Sequence, residues 1–154
     1  MTDFTGKTIL VLGAGLIGGA SAIDLVRNGA TVAIADIDLA KAQSVAATIG
    51  AAGGKATALT VDICDEASIA GAVADAVAFG GGLNGLFVNA YEGLVARKDA
   101  DIVAIDLDIW RRSLEGNVTG TLIAMREAIP HLLASGGGGI LCTSSSDSFD
   151  SPAT

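Results

Sequence analysis

A single α/β domain built on a doubly wound parallel sheet is the fold that this sequence predicts, and three observations predict it. Five short apolar, β-branched runs recur along the chain, segments of helical length and period separate them, and a glycine-rich turn joins the first run to the first helical segment. The resulting β-α-β-α-β alternation requires parallel strands, right-handed crossovers and helices on both faces. Composition agrees: hydrophobic residues make up 51% of the chain and charged residues 17%, with a mean hydropathy of +0.58. Strands buried on both faces read as such continuous apolar runs. A chain of 154 residues buries roughly 68–70% of its unfolded surface, enough for one core and not for two.

The first strand is expected in "KTILVLG" (7 to 13), followed by a helix that starts in the glycine turn and runs to Asn28, where Asn28-Gly29 supplies a left-handed stop. "TVAIAD" (31 to 36) is the second strand, and the second helix runs from about Leu39 to Ile49, ending at Gly50. "ATALTVD" (56 to 62) is the third strand; Asp65 or Glu66 opens an Ala/Val-rich helix that ends before Gly80-Gly81-Gly82. "GLFVNA" (85 to 90) is the fourth strand. The longest helix follows Asp106 or Asp108 and continues to about Ala134, with Trp110, Leu114, Val118, Leu122, Met125, Ile129 and Leu133 at spacings of three and four. Pro130 within it predicts a kink or an irregular last turn. "SGGGG" (135 to 139) turns into the fifth strand, "GILCTS" (139 to 144). Residues 1–146 thus form one domain and 147–154 a small, polar C-terminal tail.

Several function classes are excluded. Nine Lys and Arg face seventeen Asp and Glu, a formal net charge of −8 with no basic cluster, so nucleic acid is not an expected partner. No apolar stretch approaches the ~18 residues of a membrane span, and "MTDFTGKTILVLG" carries no cleavable signal pattern, so the expectation is a cytoplasmic protein without membrane attachment. Cys64 and Cys142 stand far apart with no Cys-x-x-Cys spacing; neither a metal site nor a disulfide is implied, and both read as buried thiols. His131, the only histidine, has no ligand at metal spacing and reads as a solvated or dipole-stabilising residue near a helix end. The Asp-rich stretch from Asp99 to Asp108 lacks a calcium-loop pattern and reads as a solvated loop and helix cap, so no metal is expected.

"ILVLGAGLIGGA" puts Gly-x-Gly-x-x-Gly directly after a strand and at a helix start, the context in which this pattern binds a dinucleotide. Gly13 permits the tight turn, Gly15 lets a pyrophosphate approach the backbone, and Gly18 lets helix and strand pack closely, while Leu16 and Ile17 contribute first-turn N–H groups to the diphosphate. Asp36 ends the second strand 23 residues after Gly13, close to the ~20-residue spacing of a carboxylate that binds the adenosine ribose. That carboxylate favours NAD over NADP, because a ribose 2′-phosphate would meet its negative charge and no Arg or Lys falls between Thr31 and Leu39. Asp38, already past the strand end, is the weaker candidate. The sheet is therefore Rossmann-type, about five strands in the order 3-2-1-4-5, ending after strand five.

From these segments onward the chain resembles the short-chain dehydrogenase/reductase family. "TVDICDEASI" resembles its third-strand Asp segment, which implies that Asp62 bonds the adenine amino group with Ile63 beside it. "GLFVNAYEG" resembles its Asn-Asn-Ala-Gly segment and carries Asn89 and Ala90 over to the cofactor. "WRRSLEGNVTGTLIAMREAIPHLL" is similar to the family's long interface helix, where Asn117 matches the Asn of the catalytic tetrad. "GGGGILCTSSS" looks like strand five, with Ser145 at the position of the catalytic Ser. The resemblance implies hydride transfer between NAD(H) and an alcohol or carbonyl, with Ser holding the substrate oxygen, Tyr moving its proton, Lys lowering the Tyr pKa and Asn positioning a water relay.

Three departures qualify it. The glycine pattern differs from the family's usual Thr-Gly-x-x-x-Gly-x-Gly, with Leu12 in place of Thr and Gly19 offering another register. Val88 and Tyr91 replace the first Asn and the Gly of Asn-Asn-Ala-Gly, and the phenol could crowd the nicotinamide side. The Tyr-x-x-x-Lys pair is expected about a dozen residues beyond Ser145, past Thr154, and nothing within the chain replaces it. Tyr91 is the only tyrosine; its i+4 residue is Val95, and Lys98 at i+7 is ~10 Å away along an ideal helix. Ser145 and Asn117 are thus an incomplete set, and little turnover is expected from this chain. In a plainer reading Asn117 bonds neighbouring backbone and Ser144, Ser145 and Ser146 form a strand-end loop. The alternatives are a non-enzymatic NAD-binding or regulatory module working with a partner chain, and another dehydrogenase whose substrate domain lies on a separate chain. A strand-five edge and a helix face left bare predict a homo-oligomer through the helix at 109–134 or that edge.

Overall fold

The structure is a computed structural model and describes residues 3–93, 98 and 100–145. Its core is a five-stranded, wholly parallel sheet in the order β3-β2-β1-β4-β5, as the sequence predicts. The elements run β1 Thr8–Leu12, α1 Leu16–Arg27, β2 Thr31–Asp36, α2 Leu39–Ala51, β3 Ala56–Thr60, α3 Glu66–Gly80, β4 Gly85–Val88, α4 Leu107–Leu114, a π turn Glu115–Thr119, α5 Gly120–Ala134 and β5 Gly139–Cys142. Strands stop one or two residues short of the apolar runs that predict them, except β2, which fills its run. The residues beyond each strand end become loops that carry the site.

Alternation along β1 divides the core into two layers. Leu10 and Leu12 point to one face with Ile69 and Val73 of α3 and Ile123, Ala128 and Leu132 of α5. Ile9 and Val11 point to the other with Ala22 of α1, Ala42 and Ile49 of α2, and Phe87 of β4. β1 sits centrally, paired with β2 in register Val11↔Ile34 and with β4 in register Val11↔Phe87, and all five of its residues are buried.

Helix ends follow the sequence signals to within about a residue, α2 running past Gly50 to Ala51 and α3 including Gly80. Asp65 caps α3 by accepting from the Ser68 N–H at 2.9 Å, and Gly81 closes it at φ +76°. Asp106 caps α4, accepting from the Asp108 N–H at 2.7 Å.

The long helix departs from expectation at two points. Pro130 neither ends nor interrupts α5, which runs unbroken to Ala134. The irregularity lies upstream, where the π turn at Glu115–Thr119 inserts extra backbone between α4 and α5. Such single-turn insertions re-aim side chains and gather at functional sites, and this one carries Asn117. Two glycines in and beside it permit a close approach: a Cβ on Gly116 would stand 2.8 Å from Glu92 Cβ and 3.1 Å from Cys64 Sγ, and one on Gly120 would strike the Ile63 carbonyl. The helix therefore approaches the loops after β3 and β4 at backbone distance.

The inward face of α5 is Ile123, Ala124, Ala128 and Leu132. The periodic stripe Trp110, Leu114, Val118, Leu122, Ile129 and Leu133 faces outward and is exposed; Met125 alone of that series packs partly against the core. Every residue of β5 is exposed. A cavity of about 610 Å³ opens on that side of the sheet, lined by Phe4, Ile9, Phe87, Ile140 and Leu141 among others. The expectation of two buried thiols is corrected here: Cys142 on β5 is exposed and Cys64 only half-buried. Among the described residues no helix is long and apolar enough to cross a membrane, and no cluster of His, Cys, Asp and Glu has metal-binding geometry. The polar tail at 147–154 and Ser146 lie outside the described residues.

Candidate functional site

The loops at the carboxyl ends of β1 to β4 enclose a cleft of about 460 Å³. An open parallel sheet binds ligands outside these ends, where successive crossovers diverge to opposite faces. The larger cavity beside β5 holds none of the sequence-predicted residues.

The β1–α1 turn is shaped by its glycines. Gly13 has φ +98°, donates its N–H to the Ala35 carbonyl at 2.7 Å, and passes so near β4 that a Cβ would lie 2.8 Å from the Ala90 nitrogen. A Cβ on Gly18 would strike the Gly13 carbonyl oxygen. Gly15 is different: nothing lies within 4 Å of where its Cβ would be, and it lines the cleft. Gly15 is also the extended cap residue of α1 and contributes no side-chain cap, and the first turn holds no acidic residue. The leading N–H groups, from Leu16 and Ile17 onward, are thus left for an anion. A Cβ on Gly19 would meet Val45 of α2 at 3.2 Å and the Ala14 carbonyl only at an ordinary 3.6 Å, so its tight contact is helix packing, whereas Gly13 and Gly18 are the glycines pressed against the loop.

Asp36 lines the cleft at the end of β2. Its Oδ2 accepts from the Ala14 N–H at 2.7 Å and its Oδ1 from the Asp38 N–H at 2.9 Å. This carboxylate therefore fastens the glycine turn, a role that spacing in the sequence did not disclose. Two oxygens offer about four acceptor sites, so two bonds to the backbone leave room for a ligand hydroxyl. Asp38 caps α2 through the Ala40 N–H at 3.1 Å. Lys41, one turn along α2, lines the cleft and lies 3.9 Å from Asp38.

Asp62 and Ile63 form the adjoining wall. Asp62 accepts from the Cys64 N–H at 2.8 Å while its own N–H donates to Ser68 Oγ at 2.9 Å. Asn89 and Ala90 form the floor. The Asn89 N–H donates to the Leu12 carbonyl at 2.9 Å, and its side-chain Oδ1 accepts from the Thr143 hydroxyl at 2.9 Å, tying together the ends of β1, β4 and β5. Tyr91 stands exposed on the cleft wall.

Asn117 does not bond neighbouring helical backbone with its side chain. Its Oδ1 accepts from the Glu92 N–H at 3.0 Å, across to the loop after β4, and its Nδ2 donates to Ser113 Oγ at 3.4 Å. Glu92 itself, unremarked in the sequence, is 7% exposed. Its Oε2 accepts from Arg112 at 2.9 Å and from the Cys64 thiol at 3.6 Å. Burial, then the bond to Glu92, push the Cys64 thiol up to about 11, and the Glu92 carboxylate holds the Arg112 guanidinium above its ordinary range. Ser145 lies three residues past β5 and is exposed, outside the cleft lining. The structure thus gathers Gly13, Gly15, Asp36, Asp62, Ile63, Asn89 and Ala90 around one cleft, sets Leu16, Ile17 and Gly18 in the helix turn at its edge, sets Asn117 behind Glu92, and leaves Ser145 apart.

Comparison with known proteins gives a consistent result. The family model for short chain dehydrogenases matches residues 7–154. The chain is 37% identical over 147 residues to 2,5-dichloro-2,5-cyclohexadiene-1,4-diol dehydrogenase of Sphingobium indicum, covering 95% of this chain and 56% of that protein. It is 34% identical over 143 residues to cyclohexanol dehydrogenase of an Acinetobacter species, covering 92% and 56%. Among solved structures, a 7α-hydroxysteroid dehydrogenase complexed with NADH and 7-oxo glycochenodeoxycholic acid superposes with a TM-score of 0.88 at 28% identity, covering 96% of this chain and 56% of that one. A hydroxysteroid dehydrogenase from Escherichia coli does so with a TM-score of 0.81 at 30% identity, covering 91% and 55%. The chain spans about half the length of the curated relatives it matches.

Proposed function

The chain belongs to the short-chain dehydrogenase/reductase family, and from that premise we propose that it is the NAD-binding portion of an oxidoreductase that moves a hydride between a nicotinamide cofactor and an alcohol or carbonyl. The observation that carries this reading is the convergence on one cleft of the glycine turn, the turn-clamping Asp36, and the Asp62 and Asn89 loops. The residues fit the group. The open space over Gly15 and the uncapped start of α1 suit a diphosphate. Asp36 accepts from the adenosine ribose and, by charge, disfavours a 2′-phosphate, which makes NAD the preferred cofactor; Asp62 and Ile63 hold the adenine; Asn89 and Ala90 floor the nicotinamide end.

Bound there, the cofactor supplies the hydride acceptor or donor. The chain's own residues bind and orient it: Asn117 fixes the loop after β4, and Ser145, brought in from the strand-five side, holds a substrate oxygen. A positioned proton donor typically contributes ~10²–10⁴-fold to such reactions, and the only tyrosine in the sequence is Tyr91, without Lys four residues on. Turnover by these 154 residues alone is therefore expected to be slight. The names of the relatives, both dehydrogenases of cyclic alcohols, support an alcohol as substrate class.

Titration calorimetry with NAD, NADH and NADPH tests the reading. NADH binding, with NADPH weaker, is expected; tighter NADPH binding would overturn the Asp36 argument, and no binding of either would overturn the whole. Following NADH absorbance over a panel of cyclic alcohols should give no rate above background. A second reading, a cofactor-binding module acting with a partner chain, draws support from the exposed stripe on α4 and α5 and from the bare face of β5. Self-association through the same surfaces is its homo-oligomeric form.

A further inference from the structure

Glu92 is a nearly fully buried carboxylate that belongs to none of the motifs so far used, yet three elements meet on it. Its Oε2 takes hydrogen bonds from Arg112 of α4 at 2.9 Å and from the thiol of Cys64, in the loop after β3, at 3.6 Å. Its backbone N–H bonds Asn117 of the π turn at 3.0 Å. The Cys64 N–H in turn bonds Asp62. Glu92, Arg112 and Asp62 all line the cleft, and glycine at 116 is what lets the helix approach so near. A buried carboxylate is costly unless paired and hydrogen-bonded, so these partners help to hold the side chain inside.

We propose that Glu92 is a positioning residue of the cleft: through Arg112 and Cys64 it ties the loop carrying Asn89 and Ala90 and the loop carrying Asp62 and Ile63 to the long helix, fixing the spacing between the two ends of the dinucleotide site. The inference rests on the reading of the cleft as an NAD site. A ligand that spans both loops feels that spacing, whereas one confined to the adenosine end does not. The consequence is a difference between ligands that general loss of stability would not produce.

The test uses the full chain and two ligands, NADH and AMP, with fluorescence or calorimetric titration and a thermal melt of each ligand-free variant. Glu92→Gln and Arg112→Gln are each expected to weaken NADH about tenfold, the size of an ordinary coupling within one hydrogen-bonded network, and AMP less than about twofold. Arg112→Lys, which keeps the charge, is expected to restore most of the NADH affinity. If Glu92→Gln does not fold, the Arg112 variants decide the question alone, since that guanidinium is about half exposed. Equal weakening of NADH and AMP in step with a lowered melting temperature would overturn the proposal, as would unchanged binding of both. An unsubstituted chain that bound no NADH would instead remove the cofactor reading on which it rests, an outcome visible before any variant is made.

Discussion

β1 and β5 flank the same strand, β4, in the same parallel sheet, and both are written in small and branched apolar residues. Every residue of β1 is buried and every residue of β5 is exposed. The difference does not lie in their pairing with β4, which is in register for both. It lies in the layers: α1 and α2 cover one face beside β1 and α3 and α5 the other, whereas among the described residues β5 has a neighbour strand on one edge only and the open cavity on one face. Local sequence and a partner strand suffice to make a strand; burial needs a second layer. The β1 side of the molecule is covered on both faces and holds the cleft at the strand ends. The β5 side presents apolar surface, Ile140 and Leu141 among it, to solvent.

Truncation of matched leucines should break that symmetry most sharply. Leu10 on β1 is fully buried and Leu141 on β5 is 61% exposed. Leu10→Ala is expected to cost about 2–5 kcal/mol of unfolding free energy, a large fraction of what a domain this size possesses. Leu141→Ala should stay within about 0.5 kcal/mol in dilute solution. Urea titrations followed by circular dichroism compare the two; similar midpoint shifts would mean that β5 is covered in solution.

Glycine substitutions come next. Gly18→Ala drives a Cβ into the Gly13 carbonyl, whereas Gly139→Ala on β5 meets nothing within 4 Å. The first is expected to cost about 1–3 kcal/mol by overpacking and to abolish NADH binding with the turn it deforms. The second should be neutral or stabilising by roughly 0.4–1 kcal/mol, because alanine restricts the unfolded chain. Gly15→Ala separates fold from binding within the same turn: with open space at that Cβ, the melting temperature should hold while NADH affinity falls. A loss of both together would assign Gly15 a packing role.

These contrasts also mark what could be read before the structure. The glycine turn was legible, and the helix starts to within the pairs Asp65 or Glu66 and Asp106 or Asp108, because each is a local pattern with a local cause; the structure selects Asp65 and Asp106. Asp36 was legible as a cleft carboxylate and not as the clamp on Ala14, since that bond depends on where the crossover returns the turn. Glu92, Arg112 and Cys64 lie 20 and 28 residues apart and share no motif, so nothing short of the fold joins them. Gly116 and Gly120 did carry a signal: two glycines inside a helix cost about 1 kcal/mol each against alanine and imply a close approach. The outward direction of the Trp110 to Leu133 stripe came from the resemblance to an interface helix and not from periodicity, which identifies a face and not its neighbour.

That stripe gives a smaller effect on the single chain and a visible one on assembly. Val118 and Leu122 are each 60% exposed, so Val118→Lys with Leu122→Glu should change the unfolding free energy of the monomer by no more than about 0.5 kcal/mol. Sedimentation velocity should show self-association of the original chain reduced or lost in the pair variant. A chain that sediments as a monomer at all concentrations, before and after substitution, would break the link between bare apolar surface and partners.

The smallest effect is chemical. Cys64 belongs to the covered side and Cys142 to the bare one, so a brief pulse of iodoacetamide at pH 7 followed by peptide mapping should label Cys142 well before Cys64. The thiolate is the reacting species, and burial, then the bond to Glu92, lift Cys64 from about 9.0 to about 11 against the opposing pull of Arg112. Its alkylation rate should therefore climb about tenfold per pH unit toward pH 11. The fold holds this proton more tightly than the unfolded chain does, so the associated stability is complete below pH 9 and disappears between about 9 and 11. Glu92→Gln removes the charge that opposes the thiolate and should speed labelling of Cys64, while Arg112→Gln removes the favourable charge and should slow it. Equal labelling of both cysteines at pH 7 would mean that the loop after β3 opens readily, and that the covered side is less closed than β1 implies.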